Sequence, residues 1–224
     1  MKIALVSHLS HEGPDSLLEK MQSGLSGLKA MPDVVCGPDY GLASHYNRKP
    51  VNQQERQYLL GRIKELSKQF PHTQIIPGTM PWIDKTQMYQ SAPVYKSGKL
   101  QHEFFKERDC GEANLAESVG KKYFRGKSDD NVFKIDGKKI CYEICGDHGN
   151  QNVDGCFLEL ISSLDSRGGF YISQINNGWK HYGATTNGID GETACFLFDP
   201  NSAQRVDIIN PIETSGKVSV FNLE

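Results

Sequence analysis

A chain of 224 residues with a formal net charge of −2 has room for one sizeable core, and it carries no field that would draw nucleic acid or an anionic membrane. No apolar run approaches the ~20 residues of a membrane helix, and Met1 to His8 lack the length and the small-residue cleavage site of a signal peptide. The six cysteines are therefore expected as reduced thiols in a cytoplasm.

Strands and helices alternate through the first half. Ile3 to Ser7 is a short buried strand. Leu18, Met21, Leu25 and Leu28 mark one face of a helix over Pro14 to Met31, with Pro14 and Asp15 in its first turn. Asp33 to Cys36 is a second strand, ended by Gly37-Pro38. Asn52 to Phe70 carries Leu59, Ile63, Leu66 and Phe70 on one stripe and charges opposite, and Pro71 stops it. Gln74 to Gly78 is a third strand. Ala92 to Lys96, a Ser97-Gly98 turn and Lys99 to Lys106 read as a hairpin.

The polar stretch Glu107 to Asp130 reads as a functional loop, with a short helix at Asn114 to Val119. Asn131 to Ile135 and Lys138 to Ile144 form a hairpin around Asp136-Gly137. Cys156 to Leu164 is expected as a short helix and Gly169 to Ile175 as a strand. Further strands are Ala194 to Asp199, Arg205 to Ile209 and Lys217 to Asn222. No repeat or linker divides the chain, so residues 1–224 are expected to form one α/β domain with two layers of strand between helices.

The chemistry centres on Gly137 to Asp147. Cys141 lies in an apolar run that leads into a polar, glycine-containing turn. A thiol just before a turn can be exposed while backbone N–H groups face a reacting oxygen. From these residues alone, Cys141 reads either as a small buried hydrophobe or as a nucleophile. A thiol needs a base or cation to act at neutral pH. Asp39 and Lys106 each end an apolar run, though a turn aspartate and a solvated edge lysine are the plainer readings of each alone.

Taken together, these segments resemble the nitrilase superfamily of carbon–nitrogen hydrolases, over most of the chain. Val34 to Leu42, with Pro38-Asp39, resembles that family's strand followed by its base glutamate. Gln90 to Lys106 is similar to its hairpin ending in the catalytic lysine, and Glu117 to Gly126 to the segment with its second glutamate. Ile140-Cys141-Tyr142-Glu143 looks like its Ile-Cys-Tyr-Asp nucleophile motif. Phe198 to Asn201 resembles its late Asp-Pro turn.

The resemblance implies a two-layer mixed β-sandwich flanked by helices (αββα). It implies hydrolysis of a small amide or nitrile through a thioester, without cofactor or metal. Cys141 is the expected nucleophile, Asp39 the base, and Lys106 with the Tyr142 backbone N–H the oxyanion donors. Glu117 is expected to orient Lys106, and Trp179 and Cys145 to line the pocket. A homodimer is compatible with it.

The chain departs from the family at several points. Asp39 replaces glutamate, a loss of one methylene, or ~1.5 Å of reach. Gln90 replaces asparagine, Cys145-Gly146-Asp147-His148 replaces an Arg-Phe-Pro run, and the chain is short. Two other classes follow from these features. One is a catalytically impaired binding or regulatory protein. The other is a zinc or redox protein using Cys141, Cys145 and His148, with His181 or Cys156 as a fourth ligand.

Overall fold

The computed structural model describes residues 1–43, 49–127, 130–148, 155–164, 181–198 and 205–224. Two twisted sheets face each other. The first has nine strands: β1 (Lys2–Val6), β2 (Val34–Cys36), β3 (Gln74–Ile76), β4 (Met80–Ile83), β5 (Gln87–Lys96), β6 (Lys99–Phe105), β7 (Lys122–Tyr123), β14 (Glu213–Ser215) and β15 (Val218–Asn222). The second has six: β8 (Val132–Ile135), β9 (Lys138–Ile144), β10 (Leu158–Ser163), β11 (His181–Asn187), β12 (Thr193–Phe198) and β13 (Arg205–Ile208).

Period-2 alternation builds the layer between the sheets. Ile3, Leu5, Val34, Cys36 and Ile76 face inward from the first sheet, and Ile140, Tyr142, Ile144, Leu158 and Leu160 from the second. The alternate residues Ala4, Val6, Val35 and Ile75 face a helical layer. That layer is α1 (Pro14–Ser26), through Leu17, Leu18, Met21 and Leu25, and α2 (Gln53–Gln69), through Leu59, Leu60, Ile63 and Leu66. Asn52 caps α2 by accepting the N–H groups of Gln54 and Glu55, while the Glu55 carboxylate accepts the Asn52 N–H at 2.8 Å.

The expected helix over Cys156 to Leu164 is corrected to strand β10. Leu158 and Leu160 share the inner face with two-residue spacing, and β10 pairs in parallel with both β9 and β11. Strand β4, last in the order of the first sheet, escapes sequence reading because Pro81 interrupts it, and a proline within a run argues against a strand. The strand expected at Gly169 to Ile175 lies outside the described residues, as does Asp199-Pro200-Asn201. No described helix is long and apolar enough to cross a membrane.

The topology fixes where a site can form. Strands β1, β2 and β3 run parallel in one sheet, and β9, β10 and β11 in the other. Crevices outside the carboxyl ends of parallel strands are where such sheets bind ligands. The two sets of ends meet: Asp39, after β2, donates its N–H to the Ser163 carbonyl of β10 at 3.2 Å. Ser162 of β10 donates its hydroxyl to the Gly37 carbonyl at 2.6 Å.

Candidate active site

Asp39 is fully buried. Its Oδ1 accepts three donors: the Thr79 hydroxyl, Gln90 Nε2 at 2.8 Å and the Tyr40 N–H at 3.1 Å. Its Oδ2 has no hydrogen-bond partner among the described residues. Burial raises its pKa, while Lys106, Thr79 and Gln90 pull the other way. The result is a carboxylate with one oxygen anchored, the other free, and an elevated proton affinity. Gly78 allows this packing: it sits at φ +101°, and a Cβ there would lie 2.1 Å from the Pro38 carbonyl oxygen.

Lys106 follows β6 and is 1% exposed. Its Nζ donates to Glu112 Oε1 at 2.5 Å. Burial works against its charge, but Asp39, Glu112 and Cys145 outweigh burial and hold it protonated. Glu112 opens the short helix α3 (Glu112–Ser118), and its side chain also accepts the Tyr40 hydroxyl at 3.2 Å and the Cys110 N–H at 2.6 Å. Glu117, expected in this role, is exposed at the far end of α3. The correction is helical geometry, since only the first turn of so short a helix reaches Lys106. No local pattern in the sequence marks Glu112, whose carboxylate is chosen by the fold that brings Tyr40 to it from a distant segment.

The two cysteines of the β9 region lie in different surroundings. Cys141 is fully buried in the middle of β9, opposite Val132 of β8 and Glu159 of β10, and it packs with Cys156. It lies on the face turned away from the inter-sheet core. The Tyr142 N–H, expected as an oxyanion donor, already donates to the Asn131 carbonyl at 2.8 Å. Strand β9 continues to Ile144, so the first residue past it is Cys145.

Cys145 has φ +49°, in the left-handed region that non-glycine residues rarely enter. Such strain concentrates where a side chain must be aimed at a reacting group. Its thiol pKa is pushed up to about 11, by burial first and by Asp39 next, against the attraction of Lys106 and an N–H from Leu164. Asp39, Lys106 and Cys145 thus act on one another's charge. The sequence signal was present: with Ile140, Tyr142 and Ile144 facing inward, the first residue past the run is Cys145.

Two backbone ties brace the loops that carry these groups. Asp147, fully buried in the 3₁₀ turn Cys145–Asp147, accepts the N–H of Glu107 at 3.0 Å and of Arg108 at 2.6 Å. The segment after Lys106 is thereby bound to the segment after Cys145. Gly146 lies against the Cys110 thiol, where a Cβ would come within 2.1 Å of Sγ. Trp179 lies outside the described residues.

No protein-family model and no curated protein sequence matches the chain. Solved structures do match. An amidase from Nesterenkonia sp. AN1 superposes with a TM-score of 0.71 at 15% identity, covering 100% of this chain and 93% of that one. A variant of that amidase, with acrylamide joined by Michael addition to its active-site cysteine, gives a TM-score of 0.68 at 14% identity, with 100% and 93% covered. A variant in complex with butyramide gives 0.67 at 15%, with 100% and 90% covered. That amidase is described as a nitrilase-superfamily protein, and at these identities the likeness establishes the nitrilase-type α/β sandwich as the fold of this chain.

Proposed function

We propose that this protein is a cysteine-dependent hydrolase of small amides, with Cys145 as nucleophile, Asp39 as base and Lys106 as the oxyanion's cation. The observation that carries the reading is the unpartnered, fully buried Asp39 Oδ2 beside a lysine held charged and a thiol on a strained turn. The fold's likeness to amidases that react with acrylamide and hold butyramide supports the substrate class.

In this scheme Asp39 Oδ2 takes the proton of Cys145 Sγ as the sulfur attacks the carbonyl carbon. Lys106 Nζ stabilises the oxyanion, already desolvated and held by Glu112. Collapse of the tetrahedral intermediate breaks the C–N bond, and Asp39 returns the proton to the departing ammonia. Asp39 then deprotonates a water that hydrolyses the thioester, releasing a carboxylic acid and restoring the thiol. A resting thiol with a pKa of about 11 suits this order, because the proton moves during attack rather than before it. Ammonia release from a panel of short aliphatic amides and nitriles tests the reading. Turnover of amides is expected, and a panel without any release would sink it.

The acid limb of the rate profile follows from Asp39. Its folded-state pKa is raised and the active form is the carboxylate, so activity disappears as pH falls through that raised value. Thr79 and Gln90 favour the charged form. Thr79→Val removes one of these donors and should move the acid limb of kcat/KM to higher pH. An unchanged or lowered limb would show that another group sets it.

A further inference from the structure

The geometry points to a second site in this chain, a divalent transition-metal site made by Glu143, His148 and Glu159. One donor atom from each lies within 4.8 Å of the others. Glu143 is on β9 and Glu159 on β10, whose parallel register sets Cys141 opposite Glu159 and Glu143 opposite Ile161. The two carboxylates are thus diagonal neighbours on one face of the sheet, the face turned away from Tyr142, Ile144, Leu158 and Leu160. Both residues are fully buried. His148, just past the turn Cys145–Asp147, folds back so that its Nδ1 is paired with Glu143 Oε2.

The donor chemistry suits a borderline ion rather than a hard one. Two carboxylates and an imidazole form a three-residue set of the kind that holds Zn²⁺, and imidazole disfavours Mg²⁺ and Ca²⁺. With the imidazole neutral, the set carries a charge of −2, which a divalent ion matches. Bonds of about 2.1 Å in a tetrahedron need donor atoms about 3.4 Å apart, so an ion would part the His148–Glu143 pair and draw in the third donor. The His148 side chain is 14% exposed, against 0% for Glu143, so an ion reaches the site past the imidazole edge.

The consequence is structural. An ion here clamps the ends of β9 and β10 to the residue that follows the Cys145 turn. This departs from the metal-free chain expected from the sequence, and from the ligand set of Cys141, Cys145 and His148 weighed there, of which only His148 takes part. It is also independent of amide hydrolysis, because the readouts below need no turnover.

Chelator-treated protein is titrated with zinc sulfate, desalted and analysed for metal, with thermal unfolding followed in parallel. About one zinc per chain is expected. At a hundredfold excess over Kd the unfolding midpoint should rise by about 5–10 °C, and magnesium should leave it unmoved. His148→Ala and Glu159→Gln should abolish both effects, whereas Cys145→Ser should retain them. His148→Ala carries the test if the buried Glu159→Gln fails to fold. Absence of retained zinc and of a midpoint shift would overturn the site. So would binding that survives His148→Ala but is lost in Cys145→Ser, which would put the ion on the catalytic thiol.

Discussion

Replacing Cys145 by alanine is expected to lower amide turnover by about 10⁴-fold or more, the scale on which removing a nucleophile from a cooperating set acts. Replacing Cys141 by alanine should leave the rate per folded molecule within about twofold. Its cost falls on stability instead, roughly 1 kcal/mol for a small cavity beside Cys156 and Val132. The contrast is sharp because the two thiols are four residues apart in one short segment. Steady-state kinetics on the two variants, corrected for folded fraction by thermal unfolding, checks it. Equal loss in both, or loss in Cys141→Ala alone, would return the nucleophile to the middle of β9.

Lys106→Met should both abolish activity and destabilise the fold by about 3–5 kcal/mol. The Lys106 and Glu112 side chains are 1% and 3% exposed. Removing the cation leaves Glu112 and Asp39 as buried carboxylates without their counter-charge. The physics separates the two losses. Adding Glu112→Gln to Lys106→Met removes one of the two orphaned charges, so part of the stability should return, since a buried ion pair is worth little more than a neutral pair of similar shape. Activity should not return, because no cation then faces the oxyanion. Denaturant unfolding and ammonia release on the single and double variants check both halves. Recovery of activity in the double variant would show that Lys106 serves the fold alone.

Elements with strong periodicity were legible in the sequence. Helix α2 follows the stripe of Leu59, Ile63 and Leu66, and β1, β2 and β3 follow short apolar runs closed by turn residues. Asp39 and Lys106 were legible for the same reason, since each stands where such a run ends and the carboxyl ends of strands gather. Cys141 was expected as the nucleophile because Ile140-Cys141-Tyr142-Glu143 matches a motif, while the strand carrying it runs on to Ile144. Cys145 is the first residue past that strand. Glu112 was not legible, because its value depends on how the loop from Lys106 through Cys110 turns back on it and on Tyr40 arriving from a distant segment. Strand β10 was misread as a helix because its outer face buries Glu159, a residue no hydrophobic pattern would place there.

The shorter Asp39 raised the question of whether an aspartate can serve as base. The placement of its carboxylate supports that role. Thr79, Gln90 and the Tyr40 N–H fix one oxygen and leave the other free. Gly78, which allows contact with the Pro38 carbonyl, lets the backbone of this turn pack closely.

The most direct test of the account is to expose the protein to acrylamide at neutral pH, with and without a short aliphatic amide, and to map the modified cysteine by peptide mass spectrometry. The account predicts a single addition on Cys145 that the amide slows. Modification of Cys141, or of the exposed Cys110, with Cys145 left intact would contradict it.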